Sequence, residues 1–129
     1  RMAERQVHRF GGRHVKTTGD GILATFDGPA QAIQCGLAIC NGAHQLGVEV
    51  RVGVHTGEVE RRGDDVAGIG VHIAARVQAR AQPGEVWVSR TVTDLVTGSG
   101  ITFNDRGEHP LKDVPGAWQL FTVVDPAAG

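Results

Sequence analysis

Four valines set the clearest pattern in the chain. Val48, Val50, Val52 and Val54 alternate with Glu49, Arg51, Gly53 and His55, the period-two signature of a strand with one apolar face. Upstream, Ile33, Leu37, Cys40 and His44 recur at helical spacing. Asp27-Gly28-Pro29 starts that helix with a capping-type residue and a proline near the first helical position, and Gly47 stops it. A second helix is expected from Ile69 to Ala81, with Ile69, Ile73 and Val77 as its buried stripe and Pro83-Gly84 as its stop. Residues 1–10 read as the end of a helix, closed by Gly11-Gly12, and residues 14–18 and 22–26 as a hairpin. Residues 85–89 form a short strand, and Ser89 caps a short helix carrying Val92, Leu95 and Val96, ended by Gly98. Residues 101–105 and 118–124 close the chain as strands around the loop Leu111-Lys112-Asp113-Val114-Pro115-Gly116. Arg61-Arg62-Gly63-Asp64-Asp65 reads as a turn. The order β-β-α-β-α-β-α-β-β predicts an α+β fold, a sheet with helices packed on it.

The chain has 129 residues, enough for one domain with a sizeable core, and no internal repeat or low-complexity linker divides it. With 40% hydrophobic and 21% charged residues it has the composition of a soluble globular protein. A net charge of −1 argues against non-specific attraction to nucleic acid or membrane, and no apolar run reaches the length of a membrane span. Cys35 and Cys40 lie five apart on the first long helix, which suits neither a zinc knuckle nor an easy disulfide. Two buried thiols in a reducing, cytoplasmic compartment are expected. The chain opens on Arg1 in regular sequence and is expected to be part of something longer.

Candidate chemistry gathers in two places. In Val15-Lys16-Thr17-Thr18-Gly19-Asp20-Gly21, glycines flank an aspartate at the hairpin turn, with a lysine four positions before it. By itself this is either an ordinary turn or a turn that pushes Asp20 toward a metal or substrate. On the second helix, His72 and Arg76 are four apart and share a face that Arg80 continues, with Asp65 ahead of the helix. That is either a solvated face or a hydrogen-bonding, positive edge beside a carboxylate. Gly68-Ile69-Gly70 is not a dinucleotide fingerprint, a Walker-type phosphate loop is absent, and no histidine pair has metalloprotease spacing. His55 reads as a packed strand residue, and His8, His14, His44 and His109 receive no role.

Taken together, Lys16-Thr17-Thr18-Gly19-Asp20-Gly21, Val52-Gly53-Val54-His55-Thr56-Gly57, and Asp65-Val66-Ala67-Gly68 leading to Val71-His72-Ile73-Ala74-Ala75-Arg76 resemble the class III nucleotidyl cyclase catalytic domain. Leu111 to Gly116 resembles that family's loop before its last strand. The similarity spans nearly the whole chain in the family's order, and its flavour is bacterial, of the actinobacterial type. It implies a single catalytic domain over residues 1–129, lacking its N-terminal strand, with a ferredoxin-like βαββαβ-type sheet.

The same resemblance implies an adenylate cyclase that converts ATP to 3′,5′-cyclic AMP and pyrophosphate. Asp20 matches the second of two aspartates that hold a pair of Mg²⁺ or Mn²⁺ ions. Lys16 and Asp65 match the pair that reads adenine, and Arg76 the arginine that stabilises the transition state. His72 falls where most members carry an asparagine that positions the ribose and some bacterial members carry histidine. The first metal aspartate and the phosphate-holding loop after it are not in this chain. In the family the sites form between two subunits, so a homodimer is implied, with ATP as ligand and neither nucleic acid nor membrane as partner of this domain. The alternative implied by the missing aspartate is a non-catalytic relic or regulatory nucleotide-binding domain.

Overall fold

A computed structural model describes residues 2–17 and 21–126. The chain runs α1 (Met2–Arg9), β1 (Arg13–Thr17), β2 (Ile22–Thr25), α2 (Pro29–Gln45), β3 (Val52–Val54), β4 (Glu60–Arg62), β5 (Asp65–Ala67), α3 (Ile69–Arg80), β6 (Val86–Ser89), α4 (Arg90–Leu95), β7 (Phe103–Leu111) and β8 (Val114–Val123). The central sheet has the order β3-β6-β8-β7, with β3 and β6 parallel and the other neighbours antiparallel. Two small antiparallel ribbons, β1-β2 and β4-β5, stand beside it. This is the expected α+β sheet with helices packed on it.

β6 shows how the core is divided. All four residues of Val86–Ser89 are buried, so the strand has an apolar neighbour on each side of the sheet. Val86 and Val88 join Ile33 and Cys40 of α2 and Val92 and Val96 at the α4 end, whereas Trp87 turns the other way, to Ile73 and Val77 of α3, Leu111, Val114 and Leu120. The sheet therefore carries α2 and α4 on one face and α3 on the other. Gly53 of β3 is what lets α3 come close. A Cβ there would lie 2.7 Å from the Ala74 carbonyl oxygen and 2.7 Å from Gln78 Cα, both in the helix backbone.

Several expectations are refined by these contacts. The valine alternation gives a strand only at Val52–Val54, because β6 begins at Val86, the register partner of Val52, and earlier residues have no strand to pair with. Val48 is 53% exposed. Ile69 does not belong to the buried stripe of α3 but is 50% exposed. Gly70 takes the inward position instead, its amide donating to the Glu58 carbonyl at 3.0 Å. The expected loop 111–116 is mostly strand, since β7 and β8 pair up to Leu111↔Val114 and leave Lys112-Asp113 as the turn. β7 begins within the strand expected at residues 101–105 but runs on to Leu111, a continuation without apolar alternation because it is an edge strand, where polar residues, Pro110 and a bulge around Gly107 are tolerated.

Other expectations match. Pro29 is the first residue of α2 and Gly47, at φ 79°, ends it, although the N-cap is Gly28, without a side-chain cap, and not Asp27. Gly63, at φ 62°, makes the β4-β5 turn. Cys35 and Cys40 are buried and unbridged, and burial pushes both thiols up to about 11. Among the described residues no helix is long and apolar enough to cross a membrane.

Candidate functional site

β1 carries Lys16 through a bulge. The register is Arg13↔Thr25 and His14↔Ala24, then Lys16↔Leu23 and Thr17↔Ile22, so Val15 is an extra residue in the ladder. A bulge of this kind re-aims the side chains after it. Lys16 Nζ reaches both carboxylate oxygens of Asp65, at 3.1 Å to Oδ1 and 3.2 Å to Oδ2. Asp65 opens β5, and the Val66 amide donates to its Oδ1 at 2.8 Å. That amide and then the Lys16 ammonium hold the carboxyl of Asp65 below the usual carboxylate range. Both side chains are about half exposed, so the pair presents a donor and an acceptor side by side to solvent. A second ion pair, Arg13 Nη2 to Asp64 Oδ1 at 3.7 Å, ties the same strand to the β4-β5 turn.

β5 passes into α3 through the single residue Gly68, whose φ of 116° makes an abrupt entry and which serves as the helix N-cap. The face of α3 that carries His72, Arg76 and Arg80 is not an isolated solvated edge. It lies along the β7-β8 hairpin. His72 Nε2 donates to the Lys112 carbonyl at 3.3 Å, Arg76 Nη2 stands 3.8 Å from Asp113 Oδ2, and Arg80 Nη2 donates to the Pro110 carbonyl at 3.0 Å. The carbonyl partner makes Nε2 the protonated nitrogen of His72 and leaves Nδ1 the acceptor in the neutral ring. The Arg76 side chain is 32% exposed, and its Nε is buried with no hydrogen-bond partner among the described residues. Asp113 sits at φ 63°, a left-handed conformation that aspartate tolerates at turns.

The structure thus brings Lys16 and Asp65 together, and brings His72 and Arg76 together on one helix face against the hairpin. Asp20 lies outside the described residues. Among the described residues no group of three His, Cys, Asp or Glu side chains could hold a metal ion, so these residues do not by themselves form a metal centre. His55 is the packed strand-end residue expected of it. Its Nδ1 is 2.6 Å from the hydroxyl of fully buried Ser89, the Trp118 ring meets it edge-on, and burial lowers its pKa. Sequence reasoning missed Asp113. The Leu111-to-Gly116 segment was visible as a motif, but nothing in it showed that the hairpin would fold back over α3.

The Adenylate and Guanylate cyclase catalytic domain profile matches residues 2–124. "Putative adenylate cyclase 3" of Rhizobium meliloti (strain 1021) is 32% identical over 120 residues, covering 86% of this chain and 20% of that protein. An uncharacterized protein of Mycobacterium tuberculosis (strain ATCC 25618 / H37Rv) is 33% identical over 100 residues, covering 75% of this chain and 35% of its own. The chain therefore spans only a fifth to about a third of these relatives. The crystal structure of an adenylate/guanylate cyclase/hydrolase from Silicibacter pomeroyi superposes with a TM-score of 0.85 at 29% identity, over 97% of this chain and 79% of that one. The adenylyl cyclase CyaB from P. aeruginosa shares the fold, with a TM-score of 0.80 at 20% identity over 95% of this chain and 76% of that one. This chain belongs to the adenylate and guanylate cyclase catalytic domain family.

Proposed function

We propose that this domain is the catalytic domain of an adenylate cyclase, forming 3′,5′-cyclic AMP and pyrophosphate from ATP. The observation that carries the choice of adenine is the Lys16–Asp65 pair, a donor and an acceptor held side by side by elements 49 residues apart. Adenine offers an acceptor at ring N1 beside a donor amino group, the complement of an ammonium beside a carboxylate. Guanine offers the opposite order and would leave both groups mispaired, which discriminates strongly in a recognition site.

The remaining roles follow the geometry of α3. In cyclisation the ribose 3′-oxygen attacks the α-phosphorus in line and pyrophosphate leaves. Arg76 would direct its planar donor fork to the charge that builds on the equatorial oxygens. His72, one turn earlier, would meet the ribose. Asp20, two Mg²⁺ or Mn²⁺ ions, a homodimer that completes each site and a cytoplasmic setting belong to the same proposal. The steps assigned to Lys16, Asp65, His72 and Arg76 rest on those side chains alone.

The test is nucleotide competition. The whole protein carrying this domain, supplied with Mg²⁺ or Mn²⁺, should turn over ATP far faster than GTP, read as cyclic product by chromatography. Exchanging the pair in the double variant Lys16→Glu, Asp65→Lys keeps the ion pair but reverses donor and acceptor. It should erode the preference for ATP. An unchanged ATP:GTP ratio would show that the pair does not read the base.

A further inference from the structure

We infer that Asp113, at the tip of the β7-β8 hairpin, is an exchangeable counter-ion for Arg76, occupying in the nucleotide-free protein the guanidinium that the phosphate chain of the substrate takes over. The inference rests on the phosphate-binding role proposed for Arg76.

Three features distinguish a stand-in anion from a bracket that orients the arginine. First, the contact is an ion pair at 3.8 Å and not a hydrogen bond, so it supplies charge without fixing direction. A bracket would be bidentate and near 2.8 Å. Second, the burial is lopsided. Arg76 is 32% exposed and Asp113 68%, so the carboxylate can swing into water at little cost while the guanidinium stays. Third, the donor capacity of Arg76 is unspent, since its buried Nε has no hydrogen-bond partner among the described residues. The neighbouring rungs do fix the hairpin. His72 and Arg80 bond to the main-chain carbonyls of Lys112 and Pro110, contacts that hold whatever side chain stands at position 113. The hairpin is thus fastened to α3 by these backbone carbonyls and by the packing of Leu111 and Val114 on Ile73 and Val77, and neither depends on the Asp113 carboxylate. A phosphate approaching Arg76 must displace or share with this carboxylate, so Asp113 weakens polyphosphate binding. It also keeps the cationic face compensated when no nucleotide is present.

The experiment is a double-mutant cycle on the whole protein, with inorganic tripolyphosphate as probe and isothermal titration calorimetry at fixed low ionic strength as readout. Asp113→Asn preserves the φ 63° turn, because asparagine tolerates the left-handed region, and Asp113→Gly is the second variant should the first fold poorly. Either should bind tripolyphosphate about two- to fivefold more tightly, the scale of an exposed ion pair. Arg76→Ala should bind it at least about tenfold more weakly. Asp113→Asn should add nothing in the Arg76→Ala background. If Arg76→Ala weakens binding but the Asp113 variants leave it unchanged or weaken it, the counter-ion inference is wrong while the role of Arg76 stands. If the Asp113 variants bind more tightly with Arg76 already removed, the carboxylate acts only through general surface charge and the inference is again overturned. If Arg76→Ala leaves binding untouched, the proposed phosphate role fails and takes the inference with it.

Discussion

Replacing Gly53 with alanine should damage the site without touching a functional side chain. The added Cβ would sit 2.7 Å from the Ala74 carbonyl oxygen and from Gln78 Cα, and closer still to the Gln78 amide nitrogen. Ordinary carbon contacts need about 3.5 Å, so α3 must retreat from β3 by about 1 Å. The obstructing atoms are helix backbone, which cannot rotate aside as a side chain would. The strain belongs at the upper end of the overpacking range, about 3 kcal/mol. For a domain of this length that is a fall of about 10 °C in Tm, read by differential scanning calorimetry. The same retreat carries His72 and Arg76 away from the substrate, and a misplacement of 1 Å can cost about 10²-fold in turnover. Gly28→Ala is the control, since the nearest atom to its added Cβ is Gln31 Oε1 at 3.5 Å, and the poorer N-cap costs about 1 kcal/mol without moving α3. A Gly53→Ala protein that melts within 2 °C of the parent and keeps full activity would refute the close-approach argument.

Arg76→Ala should lower turnover by about 10²- to 10³-fold and raise KM by only about tenfold, because its donors meet the phosphates in the ground state and the developing charge of the transition state more strongly. Mixed with an inactive Asp20→Ala protein it should recover activity, since one site of the heterodimer would carry both defects and the other neither. Heterodimers that form without making cyclic AMP would exclude a shared site. Burial lowers the pKa of His55 below 6.5, so the unfolded chain takes up a proton that the folded one resists. The resulting stability is complete above pH 6.5 and is lost as pH falls from there toward the depressed folded value. Melting curves between pH 8 and 5 should show this loss, and His55→Gln should flatten it; an equal slope in both proteins would place the effect elsewhere. With thiols at about 11, Cys35 and Cys40 should resist iodoacetamide at pH 8 in the folded protein and react after denaturation; rapid labelling of the native protein would contradict their burial.

The sequence by itself determined the local elements whose causes are local. The 3.6-residue repeat of Ile33, Leu37, Cys40 and His44, the Gly28-Pro29 start and the Gly47 stop defined α2 because propensity, capping and backbone freedom act within a few residues. The spacing of His72 and Arg76 placed them on one face of α3 for the same reason. Lys16 and Asp65 were nominated from the order of motifs, since nothing in either segment alone shows that a bulge at Val15 would turn the lysine toward β5.

Tertiary structure decided where each pattern could be used. The valine run became only three residues of strand because β6 offers a partner no earlier than Val86. Ile69 was left exposed because Gly70, lacking a side chain, packs against Glu58 in its place. The Asp113–Arg76 pairing depends on a hairpin folding back across a helix 37 residues upstream, and long-range contact of that kind leaves no periodic trace in a single sequence.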